Sequence, residues 1–232
     1  MKIRRNKGFG AHEKGAAQGQ HPSFPWSWLL AGLLVFCGGW LPEGTAVLAA
    51  PAFGGETGGL AVPAADVQRQ GQVQLGWQNL DHRCSRSLAF GTGRGVELSL
   101  QQDPGAGEGL AVGAKYQLRP ETLLRPGIAV GIEDMGNERQ RSFYGVVSKS
   151  LPYGLRVHGG AGSGRLRGPL AGMELRVFPA RPAGVFPDLT LYAEHADHQG
   201  VYGLRLALGR GLKLQAGVAG RDHFVGLSYT YY

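Results

Sequence analysis

Residues 201–232 read VYGLRLALGRGLKLQAGVAGRDHFVGLSYTYY, and their spacing decides the fold. Tyr202, Leu204, Leu206 and Leu208 alternate with Gly203, Arg205 and Ala207. After the breaker Gly209-Arg210-Gly211, Leu212, Leu214, Ala216 and Val218 alternate with Lys213, Gln215 and Gly217. In the last run Val225, Leu227, Tyr229 and Tyr231 share one face, and Phe224, Gly226, Ser228 and Thr230 share the other. A two-residue period with one apolar and one polar face marks β-strands, and the short breakers force neighbouring strands to pair antiparallel.

The same period runs backward through the chain. VELSL, LAVGAKYQL, IAVGIE and MELRV all alternate, and further short runs centre on QVQLGW, SLAF, SFYGVVS, LRVHGG and LTLYAEH. With the three C-terminal runs this predicts about twelve strands. They are separated by turn signals such as Gly93-Arg94-Gly95, Pro104-Gly105, Arg125-Pro126-Gly127 and Pro152-Tyr153-Gly154. The 40 glycines of this 232-residue chain are scattered among valines, leucines and tyrosines, which favours strands and turns over disorder.

Upstream of the strands the composition changes. A basic stretch (Lys2, Arg4, Arg5, Lys7, Lys14) precedes an apolar run from Trp26 to Leu41, and Val47 and Ala49 satisfy the small-residue rule for cleavage after Ala49. A permanent N-terminal anchor is the alternative, since the apolar run approaches the length of a short spanning helix. Residues 1–49 are therefore expected to be a signal peptide, 50–63 a flexible Gly/Pro-rich lead-in, and 64–232 the strand domain. Without residues 1–49 the net charge falls from +7 to +4 and no basic stripe remains, so nucleic-acid binding is not expected. Cys84 would then be the single cysteine, which leaves neither a disulfide framework nor zinc spacing.

The alternation fits two architectures. In a soluble sandwich the apolar face packs against a second sheet; in an outer-membrane barrel it meets lipid and the polar face lines a lumen. Small or polar residues on the second face (Gly113, Gly131, Gly203, Gly217, Ala207, Ser228), tyrosines near strand ends, an even strand count and tight turns favour the barrel. Short strands count against it, because a tilted spanning strand needs about 9–11 residues. The expected fold is all-β: a single antiparallel up-and-down barrel of about twelve strands, preceded by a signal peptide. Its lumen-facing polar candidates are Lys115, Glu133, Glu174, Arg176, Arg205 and Lys213.

The chain end resembles the C-terminal β-signal by which outer-membrane proteins are handed to the barrel assembly machinery. Gly226, Tyr229 and Tyr231 fit that pattern, and Phe224 and the extra Tyr232 depart from it. More broadly, the ordered segments GLAVPAADVQRQGQVQLGW, GVELSL, AKYQLRPE, GIAVGIEDMG, RSFYGVVSKSL, GLRVHGGAGSGRLRGPLAGMEL and LTLYAEH resemble the YjbH-like family. The likeness runs from about Gly59 to the end. It implies an outer-membrane β-barrel associated with exopolysaccharide production, in contact with membrane lipid, polysaccharide and export proteins. Two departures stand out: the chain has room for one compact unit only, and His195-Ala196-Asp197-His198 replaces an expected Asp/Arg-bearing turn.

No catalytic residue, metal ligand or cofactor site is expected. His195 and His198 would point to opposite faces of a strand, which makes a polar hairpin the better reading of that cluster. Asp81-His82 with Ser85 and Ser87 lacks a nucleophile elbow, and the glycine-rich runs 91–95 and 160–164 lack the lysine and helix of a phosphate cradle. The expected role is non-enzymatic, structural or transport-related. The alternatives are an outer-membrane hydrolase using a rim His/Ser or His/Asp pair and a secreted carbohydrate-binding sandwich.

Overall fold

The computed structural model describes residues 50–81, 83–103, 109–178 and 187–231; the expected signal peptide, His82, Pro104-Gly105 and Tyr232 lie outside the described residues. Two short strands come first, β1 (Ala50–Pro51) and β2 (Thr57–Gly58). Six long strands follow: β3 (Val73–Leu80), β4 (Arg83–Gly93), β5 (Val96–Gln102), β6 (Leu110–Arg119), β7 (Gly127–Glu133) and β8 (Ser142–Ser150). The remaining six are β9 (Leu155–Gly162), β10 (Gly168–Arg176), β11 (Asp188–Ala196), β12 (Gln199–Gly209), β13 (Leu212–Ala219) and β14 (Asp222–Tyr231).

Strands β3 to β14 form a closed barrel in which each pairs antiparallel with its neighbours in sequence. Closure is made by β14 against β3, in register from Phe224 opposite Leu80 to Tyr231 opposite Val73. This is the expected twelve-strand up-and-down architecture, and it removes the sandwich alternative. A closed sheet leaves no edge whose backbone groups go unpaired. The hairpin between β12 and β13 shows how the sequence supports it. Arg210 and Gly211 have φ of 49° and 82°, the left-handed pair of a type I′ turn whose twist matches its flanking strands. Arg94 and Gly95 repeat the arrangement between β4 and β5, with φ of 52° and 77°.

The apolar face points outward. Tyr202, Leu204, Leu214, Val225 and Leu227 are exposed, and the intervening Arg205, Lys213, Gln215, Gly226 and Ser228 are buried. The assignment of faces from alternation therefore holds. Among the described strand residues three charged ones depart from it: Arg86, opposite Trp77 in the β3–β4 pair, Arg119, opposite Ile128 after a bulge in β6, and Lys149, near the end of β8, lie at outward positions. The barrel strands run from seven to eleven residues, so β5 and β7 are short for a spanning strand.

The segment expected to be a flexible lead-in is folded inside the barrel. Ala50, Leu60 and Val62 are 0% exposed, and the burial continues beyond it to Ala65. Its glycines and prolines do prevent a long regular element. Lack of a regular element is not flexibility, however, once surrounding walls supply the hydrogen bonds. Within it β1 and β2 pair, Ala50 with Gly58 and Pro51 with Thr57, and Gly58 bridges to Pro63. The lumen-facing wall is also less uniformly polar than expected. Tyr144, Val146 and Leu170 form one apolar cluster with Val62 and Ala65, and Tyr192, Val201 and Phe224 form another with Leu60.

Candidate functional site: the lumen and the segment that fills it

The lumen is built where polar residues of alternate strand positions converge, and residues 50–68 occupy it, with Arg69 to Gly71 exposed ahead of β3. Glu194 of β11 accepts from three consecutive backbone amides, with Oε2 at 2.6 Å from Ala61 N, 3.0 Å from Leu60 N and 3.1 Å from Val62 N. A buried carboxylate is costly unless fully hydrogen-bonded, and here the turn of the internal segment supplies the donors. Glu97 of β5 accepts from Thr57 N at 2.7 Å, Thr57 Oγ1 at 2.5 Å and Gln68 N at 2.7 Å.

Cationic and amide side chains of the wall serve the carbonyls of the same segment. Lys115 Nζ donates to Thr57 O at 2.6 Å and lies 3.5 Å from Glu97 Oε1. Arg205 donates to Gly59 O at 2.8 Å, and its guanidinium lies 4.6 Å from the centre of the Tyr192 ring. Gln78, Gln101 and Gln117 donate to the carbonyls of Pro51, Phe53 and Ala65 at 3.0, 2.5 and 2.8 Å. Asp66 pairs with Arg156 at 2.5 Å. Burial would raise the Asp66 carboxyl, but the charge and hydrogen bond of Arg156 hold it below its usual value. The segment is therefore a plug, joined to the wall by donors and acceptors of both kinds.

One contact runs through a polar relay. Ser148 Oγ accepts from Ala65 N at 2.8 Å and meets His158 Nδ1 at 2.7 Å, while His158 Nε2 meets Glu174 Oε1 at 3.0 Å. With the imidazole proton on Nε2, facing Glu174, the hydroxyl proton goes to Nδ1 and an oxygen lone pair is left for Ala65. Glu56 is arranged differently. It is 3% exposed, and neither of its oxygens meets a donor among the described residues. It shares the space over Gly54 with Oε1 of Glu133, whose Oε2 pairs with Arg165. Burial first, and then the negative charge of Glu133, push the Glu56 carboxyl well above the usual carboxylate range.

All six lumen candidates face inward. Lys115, Glu133, Arg205 and Lys213 are buried, and Glu174 and Arg176 are half-buried, the latter paired with Asp188. Gly226 also faces inward and is buried, whereas Tyr229 and Tyr231 lie on the outer face near the seam. His195 and His198 make no hydrogen bond or ion pair with the described residues, and Asp197 and His198 form a left-handed turn between β11 and β12. The rim hydrolase site that would have used them is not assembled there. Ser85 accepts from Gln101 at 2.9 Å inside the lumen. The sequence reading missed the plug itself and the Ser148–His158–Glu174 relay. The only local signal for the plug was a run of small and apolar residues, Gly58 to Ala65, without a two-residue period.

Outward apolar strands, a polar lumen and complete closure define a porin-like β-barrel, here carrying its own plug. The family described as exopolysaccharide biosynthesis protein YbjH (YjbH) matches residues 52–178, more than half of the chain, and the protein belongs to that family. The match includes most of the plug and strands β3 to β10. No curated protein matches the chain. Among solved structures, the KdgM porin in complex with disordered oligogalacturonate is similar at 12% identity and a TM-score of 0.52, covering 69% of this chain and 98% of that one. A second KdgM porin structure is similar at 13% identity and a TM-score of 0.50, with the same coverage. At these identities the likeness is one of fold.

Proposed function

We propose that this protein is an outer-membrane barrel serving exopolysaccharide export, with a lumen that opens when the plug is displaced. The observation that carries this reading is a closed barrel, apolar outside, whose lumen is filled by a non-covalently held segment of the same chain. The outward leucines and valines suit lipid, and membership of an exopolysaccharide family supports the polymer as cargo. The role is transport without catalysis: Ser148 and His158, a hydrogen-bonded Ser/His pair among the described residues of the lumen, are engaged in holding Ala65. Residues 1–49 act as a leader removed after Ala49, and the barrel assembly machinery inserts the remainder through Gly226, Tyr229 and Tyr231.

The test is a locked plug. Cysteines at 65 and 148, in a Cys84→Ala background, would tie Ala65 to its partner on β8. Cells that depend on this protein should lose exopolysaccharide export under oxidising conditions and regain it on reduction. Export unchanged with the plug locked would rule the lumen out as the route.

A further inference from the structure

The plug shows what chemistry the lumen accepts. Its contacts with the wall fall into two sets. Glu194, Glu97 and Ser148 accept hydrogen bonds from plug N–H or O–H groups. Lys115, Arg205, Gln78, Gln101 and Gln117 donate to plug carbonyls. When the plug leaves, both sets lose their partners at once, and a buried polar group left unpartnered is costly. The occupant that replaces it must therefore offer donors and acceptors together along its length.

The strands of the wall carry acidic and basic side chains in equal number, which favours neither sign of ion. On those strands the buried and half-buried inward-facing basic residues, among those described, are Lys115, Arg156, Arg176, Arg205 and Lys213. The matching acids are Glu97, Glu133, Glu174, Asp188 and Glu194. These five basic and five acidic strand residues are equal in number, and they are interleaved, as Lys115 with Glu97 and Arg176 with Asp188 show. A polyanion would bring acceptors to Glu97 and Glu194, which need donors, and would meet five carboxylates along its path. A sugar hydroxyl donates and accepts, and so satisfies either set. The lumen also presents apolar ring surface at Tyr144, Tyr192 and Phe224, now packed against the plug, on which the C–H faces of a sugar can lie.

Building on the conduit reading, we infer that the unplugged lumen takes an uncharged, hydroxyl-rich polysaccharide and discriminates against a polyanionic one. The experiment uses the full chain with an unseated plug. Side chains at Gly58 and Gly59 would meet Val62 O and Glu194 Oε1, so Gly58→Val/Gly59→Val expels the turn and leaves the wall unaltered. Gly59→Ala is the milder variant should the double one not close, and closure is read by heat-modifiable migration. In planar bilayers the opened channel should be blocked by neutral malto-oligosaccharides at a roughly tenfold lower concentration than by oligogalacturonate of equal length. Its cation-to-anion permeability ratio in potassium chloride should lie within about twofold of unity. Block preferring the oligogalacturonate, or a strong preference for either ion, would overturn the inference and leave the conduit intact. Closed barrels that pass no current in either variant would overturn the conduit reading and this inference with it.

Discussion

The carboxylate of Glu194 lies 2.6 Å from the amide nitrogen of Ala61, across 133 residues of sequence, and joins the barrel wall to its plug. Leu60 and Val62 donate to the same carboxylate, so one side chain serves three amides. Glu194→Ala leaves those amides buried without an acceptor and should loosen the plug by about 3 kcal/mol. Glu194→Gln keeps an acceptor oxygen and should cost less. Limited proteolysis within residues 50–68 measures this: cleavage should be fastest in the alanine variant, while the barrel still migrates as a closed form. Equal protection in all three proteins would show that the apolar contacts of Leu60 and Val62 seat the plug by themselves.

The outward face of β12 makes a second prediction. Leu204 is 42% exposed and sits in mid-strand, so Leu204→Arg places a charge in hydrocarbon at about 2–4 kcal/mol. Ala207→Arg points into the lumen opposite Asp188 and should be tolerated better. Yields of membrane-assembled protein should fall much further for the first. Gly203→Arg should fail as well, for another reason: a side chain there runs into Leu60 and Phe224.

Two plug carboxyls should give the plug opposite pH dependences. The Glu56 value is raised by burial and by Glu133. Its contribution to stability is full below the ordinary carboxylate range and is lost as the pH climbs through the raised value. The Asp66 value is lowered by Arg156, so its contribution holds at neutral pH and is lost as the pH falls from the ordinary carboxylate range through the lowered value. In melting curves across pH, Glu56→Gln should flatten the decline that sets in above the ordinary carboxylate range and Asp66→Asn the decline below it. A decline with rising pH that persists unchanged in Glu56→Gln would assign it to another group.

The seam predicts the effect of truncation. Tyr229, Thr230 and Tyr231 pair with Leu75, Gln74 and Val73, three of the eight register pairs between β14 and β3. Ending the chain at Ser228 should therefore abolish heat-modifiable migration, since closure is what satisfies the backbone in lipid. Tyr231→Phe keeps the pairing and most of the ring's interfacial contact, and should close normally. A truncated chain that closes would make these residues ordinary strand-end packing.

The two-residue period is a local property, and it determined most of this architecture. A side chain's face follows from its place in the strand, so Leu204 outside and Arg205 inside were legible without coordinates. Turn chemistry was legible for the same reason, as Arg210-Gly211 shows. Closure was not legible from alternation alone, which is the same in a sandwich and a barrel; the small and polar second face and the even strand count pointed to it, and the pairing of Val73 with Tyr231 makes it. The plug was the least legible of all. Gly54 to Ala65 has no period, and its conformation is held by Glu97, Lys115, Ser148, Glu194 and Arg205, residues that lie tens to more than a hundred positions away. Nothing within the segment says where its amides and carbonyls will find partners. Only the tertiary structure decided that, because the partners exist as a surface only after the twelve strands have closed around it.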